Sequence, residues 1–258
     1  MTRVLRGAAR ALAVAGVMIV YAAVWLAGLA ALRRRPRQRA RWRARMFRSW
    51  CARLIAVLGV RVEISGAAPA APFFLVCNHL GYLDVLVLAS HLDAVFVAKS
   101  EVARWPVLGW ICRKMDTVFI DRSSRRDVSR VLDRTREALH RGDGVVVFPE
   151  GTSTGGETVR PFLPALLATP VQLGEPVRYA TLSYSTPAGE PPAHLAVCWW
   201  GGMTFPDHLW RLMGLARIDA RLVFGERAIR HHDRKRLAAE LHRAVLSDFT
   251  PVVGLSPQ

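Results

Sequence analysis

The sequence predicts an α/β fold in which a mixed sheet is flanked by helices and preceded by N-terminal membrane-associated helices. From Gly59 onward, short runs rich in Val, Ile, Phe and Tyr alternate with helical stretches, which is typical of a sheet covered by helices. Before Gly59, an uncharged apolar run and a basic amphipathic stretch take the place of that alternation. At 258 residues, the chain has room for one such domain and a membrane-attached extension.

The apolar run from Ala11 to Leu32 is long enough to cross the ~30 Å hydrocarbon core of a bilayer as a helix. Three Arg precede the run, whereas eight lie between Arg33 and Arg45. The positive-inside rule therefore places the C-terminal side of the run, with the rest of the chain, in the cytoplasm. A cleaved signal peptide is one alternative, although the run is long for one and a dense Arg tract follows it. A helix that enters the bilayer and returns without crossing is the other alternative.

The positive charge of the chain is concentrated at its N-terminus. The formal net charge is +16, and the first 50 residues contain twelve Arg and no acidic residue. A basic tract beside an apolar helix favours anionic lipid headgroups over nucleic acid as the partner. Arg41 to Leu58 continues as an amphipathic helix, suited either to the membrane interface or to packing against the domain. We therefore assign residues 1–58 to membrane-anchoring helices and residues 59–258 to a catalytic domain.

Eight runs after residue 58 are predicted as strands. They are VRVEIS, FFLVC, AVFVA, TVFI, GVVVF, VRYATLSY, HLAVCWW and IDARLVFG. Apolar residues at helical spacing predict a helix between Ser124 and Gly142, with Ser124 as its N-cap and Gly142 ending it. A last helix is predicted at about Arg234 to Ser247.

The cysteines give no sign of a metal site or a disulfide framework. They are widely separated, lie among apolar residues and form no C-x-x-C pair. The four positions are Cys51, Cys77, Cys112 and Cys198. We expect buried free thiols, and neither a metal nor a cofactor.

The stretch FFLVCNHLGYLD leads an apolar strand directly into His79, and Asp84 follows five positions later. On a continuous helix these two side chains would point about 140° apart, so they can meet only if Leu80 and Gly81 first form a turn. Glycine makes such a turn plausible. A His that is oriented by a carboxylate is suited to act as a general base near neutral pH.

Two further motifs lie at predicted strand ends. FPEGTST follows the strand GVVVF, and its Pro-Gly turn is predicted to expose Glu150, Thr152 and backbone amides. In FIDR, Arg122 could clamp a phosphate or a carboxylate, or form a surface ion pair with the preceding Asp. Either motif alone is a weak signal of a functional site.

Together, His with Asp five positions later, then FIDR, then FPEGT, resemble the 1-acylglycerol-3-phosphate acyltransferase family of phospholipid/glycerol acyltransferases. The resemblance covers roughly Gly59 to Tyr184. FPEGTST itself and the later segment from Cys198 to Glu226 are similar to the branch of this family that includes lyso-ornithine lipid acyltransferases. The resemblance implies that the mixed sheet is of the acyltransferase type.

The resemblance further implies transfer of a fatty acyl group from acyl-CoA or acyl-carrier protein to the hydroxyl of a lysolipid, in membrane lipid biosynthesis at the cytoplasmic membrane. His79 would take the proton of the acceptor hydroxyl while Asp84 orients the imidazole. The hydroxyl would then attack the thioester carbonyl directly, without a covalent acyl-enzyme. Arg122, Glu150 and Gly151, together with Thr152, would hold the polar head of the acceptor.

Departures from the family pattern bear on the choice of acceptor. Family members that act on lysophosphatidate usually carry Arg after FPEGT and a basic residue in the following PFK-like segment. Here those places hold Ser153 and Leu163, and Arg160 is the candidate for compensation. The acceptor could therefore be lyso-ornithine lipid, lysophosphatidate or both. Asp207 and His208 suggest a second acid-base pair, with aromatic packing as the favoured alternative.

Two rival functions are compatible with these residues. A lipid thioesterase would use water in place of the acceptor hydroxyl and would release free fatty acid. A basic module that binds membranes or nucleic acid, with an inactive acyltransferase domain, would bind without turnover. The presence of His79, Asp84 and Glu150, and the position of the positive charge beside the apolar run, favour the enzyme.

Overall fold

The computed structural model describes residues 2–121 and 125–253. Two long helices come first, α1 (Arg3–Ala31) and α2 (Pro36–Val57). The first starts before the apolar run, because the hydroxyl of Thr2 accepts a hydrogen bond from the backbone N–H of Leu5 and caps the helix. Among the described residues, α1 is the one helix long and apolar enough to cross a membrane, and very little of its apolar stretch is buried.

A seven-stranded mixed sheet forms the centre of the remaining chain. Its strands are β1 (Val60–Ser65), β2 (Phe74–Cys77), β3 (Ala94–Lys99), β4 (Val118–Ile120), β5 (Gly144–Val147), β6 (Val177–Ser185) and β7 (Ile218–Phe224). The strand order is β1-β7-β6-β2-β5-β3-β4. Neighbouring strands are parallel except for β6 and β7, which are antiparallel. The predicted mixed sheet is therefore confirmed.

Helices cover both faces of this sheet. They are α3 (Tyr82–Ala89), α4 (Pro106–Lys114), α5 (Arg125–His140), α6 (Ala168–Leu173), α7 (Ala193–Ala196), α8 (Phe205–Gly214) and α9 (Arg234–Asp248), with 3₁₀ helices at Ser100–Arg104 and Pro164–Leu167. One apolar core joins the sheet to α2, α3, α7 and α8. A second core joins the other face to α5, α9 and the second 3₁₀ helix. The chain thus has three layers, with helices on either side of the sheet.

The predicted helices are confirmed and one of the eight predicted strands is wrong. The last helix is found as α9, and α5 is followed by Gly142 with a φ of +88°, although the predicted N-cap Ser124 lies outside the described residues. HLAVCWW, predicted as a strand, instead forms α7 and a loop. Pro192 caps α7, and buried Val197 and Cys198 pack into the core without joining the sheet. A short apolar run fits a core helix as well as a strand, which explains the error.

The N-terminal end of α1 is fixed to the domain. Arg10 donates to the carbonyl oxygens of Met213 and Leu215 at 3.1 and 2.5 Å. Arg6 donates to the carbonyl oxygen of Gly214 at 2.8 Å. These carbonyls lie at the C-terminal end of α8, where the helix dipole attracts cations. Arg6 and Arg10, which precede the apolar run, therefore contact the domain that contains the sheet.

The C-terminal end of α1 is fixed through α2. Trp25 in α1 packs against Trp42 in α2, with ring centroids 5.3 Å apart. Arg43 in α2 forms an ion pair with Asp116. Further along α2, Cys51 is fully buried in the core shared with the sheet. The second helix thus begins beside α1 and ends as part of the domain.

Candidate active site

Asn78 continues the pairing of β2 with β6 after the strand itself has ended. Its side-chain amide donates to the carbonyl oxygen of Leu182 at 2.9 Å, and its side-chain oxygen accepts from the N–H of Leu182 at 2.8 Å. The side chain therefore takes the place of a backbone peptide in the sheet. Asn78 is 1% exposed, and this buried contact fixes where His79 leaves the strand.

The turn predicted at Leu80 and Gly81 brings His79 and Asp84 together. Helix α3 begins only at Tyr82, after the turn. The distance from Nδ1 of His79 to Oδ2 of Asp84 is 2.8 Å. Since Nδ1–H donates to the carboxylate, the lone pair lies on Nε2, which becomes the basic atom of the ring.

The carboxylate of Asp84 is fully buried, and both of its oxygens accept hydrogen bonds. Besides His79, its Oδ2 accepts from the backbone N–H groups of Leu80 at 2.6 Å and Gly81 at 2.9 Å. Its Oδ1 accepts from the hydroxyl of Tyr184 at 2.8 Å. A buried charge needs such partners to offset the loss of hydration. The carboxylate of Asp84 is therefore held in one orientation beside the imidazole.

The imidazole of His79 is held in place and still reachable. It stacks on Phe148, the first residue of FPEGTST, with ring centroids 4.1 Å apart and an interplanar angle of 16°. The side chain of His79 is 22% exposed, whereas that of Asp84 is not exposed. A ligand can thus reach the imidazole, while the carboxylate that orients it stays inside the protein.

Glu150 holds the backbone of His79 from inside the protein. Its Oε1 accepts from the N–H of His79 at 2.6 Å, and its Oε2 accepts from the N–H of Arg160 at 2.8 Å. Burial raises the pKa of Glu150 to about 7, and the two N–H groups and His79 oppose that rise. The predicted exposure of Glu150 is wrong: it is 6% exposed, because its two oxygens turn inward to accept from the N–H groups of His79 and Arg160, neither of which lies in a strand.

The rest of FPEGTST completes the support of His79. Gly151 is buried and adopts a φ of +80°, a conformation that favours glycine and turns the chain after Glu150. Thr152 is half-buried. The N–H of Thr154 donates to the carbonyl oxygen of His79 at 3.0 Å. FPEGTST therefore binds both the N–H and the C=O of His79, and Gly151 and Thr152 lie between those two contacts.

Arg122, predicted to bind the acceptor head, lies outside the described residues. Phe119 lies in the strand that precedes Arg122, and its carbonyl oxygen accepts from the guanidinium of Arg130 at 2.7 Å. Arg130 belongs to α5 and also forms an ion pair with Asp127 at 2.6 Å. A guanidinium thus lies at the end of β4. Arg130 was not predicted as a site residue, because it lies on a surface helix 11 residues after Phe119 and belongs to none of the sequence motifs.

Asp207 and His208 do not form an acid-base pair. Asp207 is exposed and accepts from the hydroxyl of Thr204 at 2.6 Å. His208 is buried, and its Nδ1 lies 3.0 Å from the hydroxyl of Tyr82. The rings of His208 and Tyr82 meet edge to face, with centroids 5.5 Å apart. Aromatic packing, the favoured alternative, is therefore correct.

The segment after α7 that contains Trp199 forms a wall, which packs against the turn at Leu80 and Gly81. The N–H of Trp199 donates to the carbonyl oxygen of Leu80 at 2.8 Å. A Cβ atom at Gly81 would come within 2.9 Å of that backbone nitrogen. The turn between His79 and Asp84 therefore needs glycine for close approach to Trp199, a requirement that local sequence did not reveal.

Comparison with known proteins identifies the family. The sequence model described as Acyltransferase matches residues 59–180, which contain His79, Asp84 and Glu150. The lyso-ornithine lipid O-acyltransferase of Rhodobacter capsulatus is 35% identical, over 76% of this chain and 73% of that relative. The chain belongs to the acyltransferase family. The buried carboxylate, the imidazole and the supporting FPEGTST loop thus form the candidate active site of an acyltransferase.

Other similar proteins support the same assignment for this acyltransferase. The lyso-ornithine lipid O-acyltransferase of Pseudomonas aeruginosa is 38% identical over 66% of this chain, and the match spans 65% of that relative. The 1-acyl-sn-glycerol-3-phosphate acyltransferase of Neisseria meningitidis is 31% identical over 66% of this chain and 67% of its own length. The crystal structure of the 1-acyl-sn-glycerophosphate acyltransferase PlsC from Thermotoga maritima has a TM-score of 0.68, with 20% identity and coverage of 95% and 96%. That structure shows the shared fold.

Proposed function

We propose that this acyltransferase moves a fatty acyl group from acyl-CoA or acyl-carrier protein to the hydroxyl of a lysolipid, with His79 as the general base. The observation that carries the proposal is the 2.8 Å contact between His79 and the buried carboxylate of Asp84. This contact gives a partly exposed imidazole whose basic nitrogen is Nε2. General bases of this kind contribute about 10²–10⁴-fold to a reaction rate.

The reaction replaces a thioester C–S bond by an ester C–O bond and moves one proton from the acceptor oxygen to the departing sulfur. The acceptor oxygen attacks the thioester carbonyl as Nε2 of His79 takes the hydroxyl proton, so that an ester C–O bond forms. The C–S bond then breaks, and the proton passes from His79 to the departing thiolate. Asp84 accepts from Nδ1 of His79 throughout and stabilises the imidazolium. The acyl group passes directly from donor to acceptor.

The acceptor that we place first is lyso-ornithine lipid, with lysophosphatidate as the alternative. Ser153 is half-buried in FPEGTST, and Leu163 is 42% exposed, so neither place supplies a cation for a phosphate. The N–H of Arg160 binds Glu150 while its side chain is exposed. The names of the relatives from P. aeruginosa and R. capsulatus support the first acceptor, and that of N. meningitidis supports the second.

We propose that α1 lies in one leaflet of the membrane instead of crossing it. At the N-terminal end of α1, Arg10 binds carbonyls of α8. At the C-terminal end, Trp25 packs on Trp42 of α2, which leads back into the domain. A helix that crossed the bilayer would place one of these ends on the far side, away from the domain it contacts. The exposed apolar side chains of α1 then face lipid.

The basic tract supports a location at the cytoplasmic face of the inner membrane. Exposed arginines lie between α1 and α2 and along α2, where anionic headgroups would meet them. They are Arg33, Arg34, Arg35, Arg39, Arg41 and Arg45. Each such residue near an anionic surface contributes about 1 kcal/mol to membrane binding.

The test is acyl transfer by membranes that contain the full chain or its His79→Ala variant. Labelled acyl-CoA and labelled acyl-carrier protein are supplied in parallel, each with lyso-ornithine lipid or lysophosphatidate. We expect a diacyl product that depends on His79. Selective acylation of lyso-ornithine lipid supports the first acceptor, and conversion of lysophosphatidate to phosphatidate supports the second.

Two results would overturn the proposal. Turnover by His79→Ala close to that of the unmodified chain would remove His79 as the base. Free fatty acid as the sole labelled product, with every acceptor present, would make the protein a thioesterase. Vesicle binding by both proteins is the control that each has folded and reached the membrane.

A further inference from the structure

Tyr184 supplies a hydrogen bond to the one oxygen of Asp84 that His79 does not contact. Its hydroxyl donates to Oδ1 at 2.8 Å, while His79, Leu80 and Gly81 all bind Oδ2. Tyr184 is 1% exposed and Asp84 is 0% exposed. In such a dry environment a hydrogen bond is electrostatically stronger than in water.

The pleat of β6 points Tyr184 at the catalytic pair. Ala180, Leu182 and Tyr184 all belong to the core on the α3 side of the sheet. Thr181 and Ser183 alternate with them, and Thr181 donates to a carbonyl oxygen of α9 on the opposite side. This alternation follows from the two-residue period of a strand.

Asn78 fixes the register that this arrangement needs. Its side chain binds both the N–H and the C=O of Leu182, two residues before Tyr184. A slip of β6 by one residue would turn Tyr184 to the other face of the sheet. The residue next to the catalytic His therefore also holds the strand that carries Tyr184.

The hydroxyl of Tyr184 is a permanent donor. Burial raises the pKa of Tyr184 well above its ordinary value, and the charge of Asp84 raises it further. The phenol thus keeps its proton at every pH where the enzyme works. A group that always donates to a carboxylate favours the ionised form of that carboxylate.

We propose that Tyr184 is a positioning residue for acyl transfer, whose hydroxyl holds the carboxylate of Asp84 in the orientation in which it accepts from Nδ1 of His79, so that Nε2 stays free to act as base. This inference rests on the proposed function of His79. Without the donor on Oδ1, the negative charge of the carboxylate would act more strongly on the imidazole and would stabilise the imidazolium in the free enzyme. A protonated His79 cannot act as a base, so the variant would lose activity at a higher pH than the unmodified enzyme does.

The experiment compares Tyr184→Phe with Tyr179→Phe in full-length protein in vesicles. Both substitutions remove one phenol hydroxyl from β6. Tyr179 packs against the core on the opposite face of the sheet, away from Asp84, so it serves as the control. Acyl transfer from acyl-CoA to the preferred lysolipid is measured as a function of pH. For Tyr184→Phe we expect kcat to fall about tenfold, a part of what a general base contributes, and KM to stay within about twofold. The acid limb of the pH profile should move up by about half a unit or more.

A replacement that keeps the ring protects the test from a folding failure. Fluorination of Tyr184 at position 3 makes the hydroxyl a stronger donor with almost no change of shape, so the acid limb should move down. An unchanged pH profile in both Tyr184 variants would overturn the proposal, even if kcat fell, because a purely structural role does not move that limb. Equal shifts in Tyr179→Phe would overturn it as well. Activity in His79→Ala would instead overturn the proposed function.

Discussion

Glu150 accepts a hydrogen bond from the backbone N–H of His79 at 2.6 Å, so a carboxylate at one strand end fixes the proposed general base at another. The other carboxylate oxygen of Glu150 accepts from the backbone N–H of Arg160 at 2.8 Å. The strands involved, β2 and β5, are parallel neighbours, and their carboxyl ends meet at one edge of the sheet. FPEGTST therefore supports the base itself, in addition to any contact it makes with the acceptor.

Substitution of Glu150 by Gln should lower both stability and activity. The amide keeps one accepting oxygen, but its NH₂ group must face the other N–H. We expect the free energy of unfolding to fall by about 1–3 kcal/mol, the cost of an unsatisfied buried donor. The His79 loop should move, so kcat should fall more than KM rises. Thermal unfolding and steady-state kinetics measure these effects, and an unchanged kcat would contradict the role of Glu150.

The same residue should make stability depend on pH. The pKa of Glu150 in the folded protein, about 7, lies above its ordinary value of 4.5, so the folded state binds more protons between these values. The free energy of unfolding should therefore fall as pH rises through this window, by up to ~3 kcal/mol. Unfolding of the unmodified protein and Glu150→Gln at several pH values tests this. Parallel curves for the two proteins would show that Glu150 is not the source.

Substitution of Asp84 by Asn should nearly abolish acyl transfer. The amide presents a donor to a site that already holds four donors, so the imidazole loses its orientation and the imidazolium its counter-charge. We expect kcat to fall about 10²–10⁴-fold at every pH. Asp93→Asn removes a carboxylate from the surface, where the side chain is 46% exposed, and should leave kcat unchanged. Comparable turnover in the two variants would remove Asp84 from the mechanism.

Substitution of Gly81 by Ala should distort the catalytic turn. The added Cβ would lie 2.9 Å from the backbone nitrogen of Trp199, so either the turn or the wall must shift. We expect a loss of about 1–3 kcal/mol in stability and a fall in kcat. Gly202→Ala is the control, since a Cβ there meets nothing within 4 Å. Thermal unfolding and kinetics that fail to separate the two variants would contradict the close approach to Trp199.

Both ends of α1 should react with a reagent from the same side of the membrane. Thr2 and Gln38 are exposed and flank α1, so each is replaced by Cys in a Cys112→Ser background. In sealed vesicles with the cytoplasmic face outward, a membrane-impermeant maleimide should label both positions. Vesicles opened with detergent give the maximum labelling. Labelling of Thr2→Cys only after opening would show that α1 crosses the bilayer.

Restoring the two missing cations should shift acceptor choice toward a phosphate. Ser153→Arg with Leu163→Lys places positive charge in FPEGTST and in the segment after Arg160. Charge-assisted hydrogen bonds are worth about 1.5–3 kcal/mol, which corresponds to roughly 10–100-fold in kcat/KM. Competition between labelled lysophosphatidate and lyso-ornithine lipid measures the ratio. An unchanged ratio would show that these positions do not contact the acceptor head.

Local sequence was sufficient to predict the helices and strands, with one exception, and the contact between His79 and Asp84. Seven of the eight predicted strands are present, because alternation of β-rich runs with helical stretches is a local property. The approach of His79 to Asp84 followed from their spacing and from Gly81. The strand predicted at HLAVCWW was wrong because a short apolar run has the same composition in a core helix as in a strand.

Contacts between distant residues could not be predicted in this way. Tyr184 is 100 residues from Asp84, and Glu150 is 71 residues from His79. Both contacts exist because β2 lies between β5 and β6, and nothing in the individual strands specifies that order. The inward orientation of Glu150 has the same origin, since the N–H groups that it satisfies come together only in the folded chain.

Local sequence predicts the α/β class, the acyltransferase motifs, the pairing of His79 with Asp84, and an apolar N-terminal helix beside a basic tract. The tertiary structure alone decided which groups hold that pair in place and where the ends of α1 lie. This difference arises because secondary-structure propensity, motif spacing and charge depend on a few neighbouring residues along the chain. Burial, register and the satisfaction of buried donors act between elements that only the order of strands brings together.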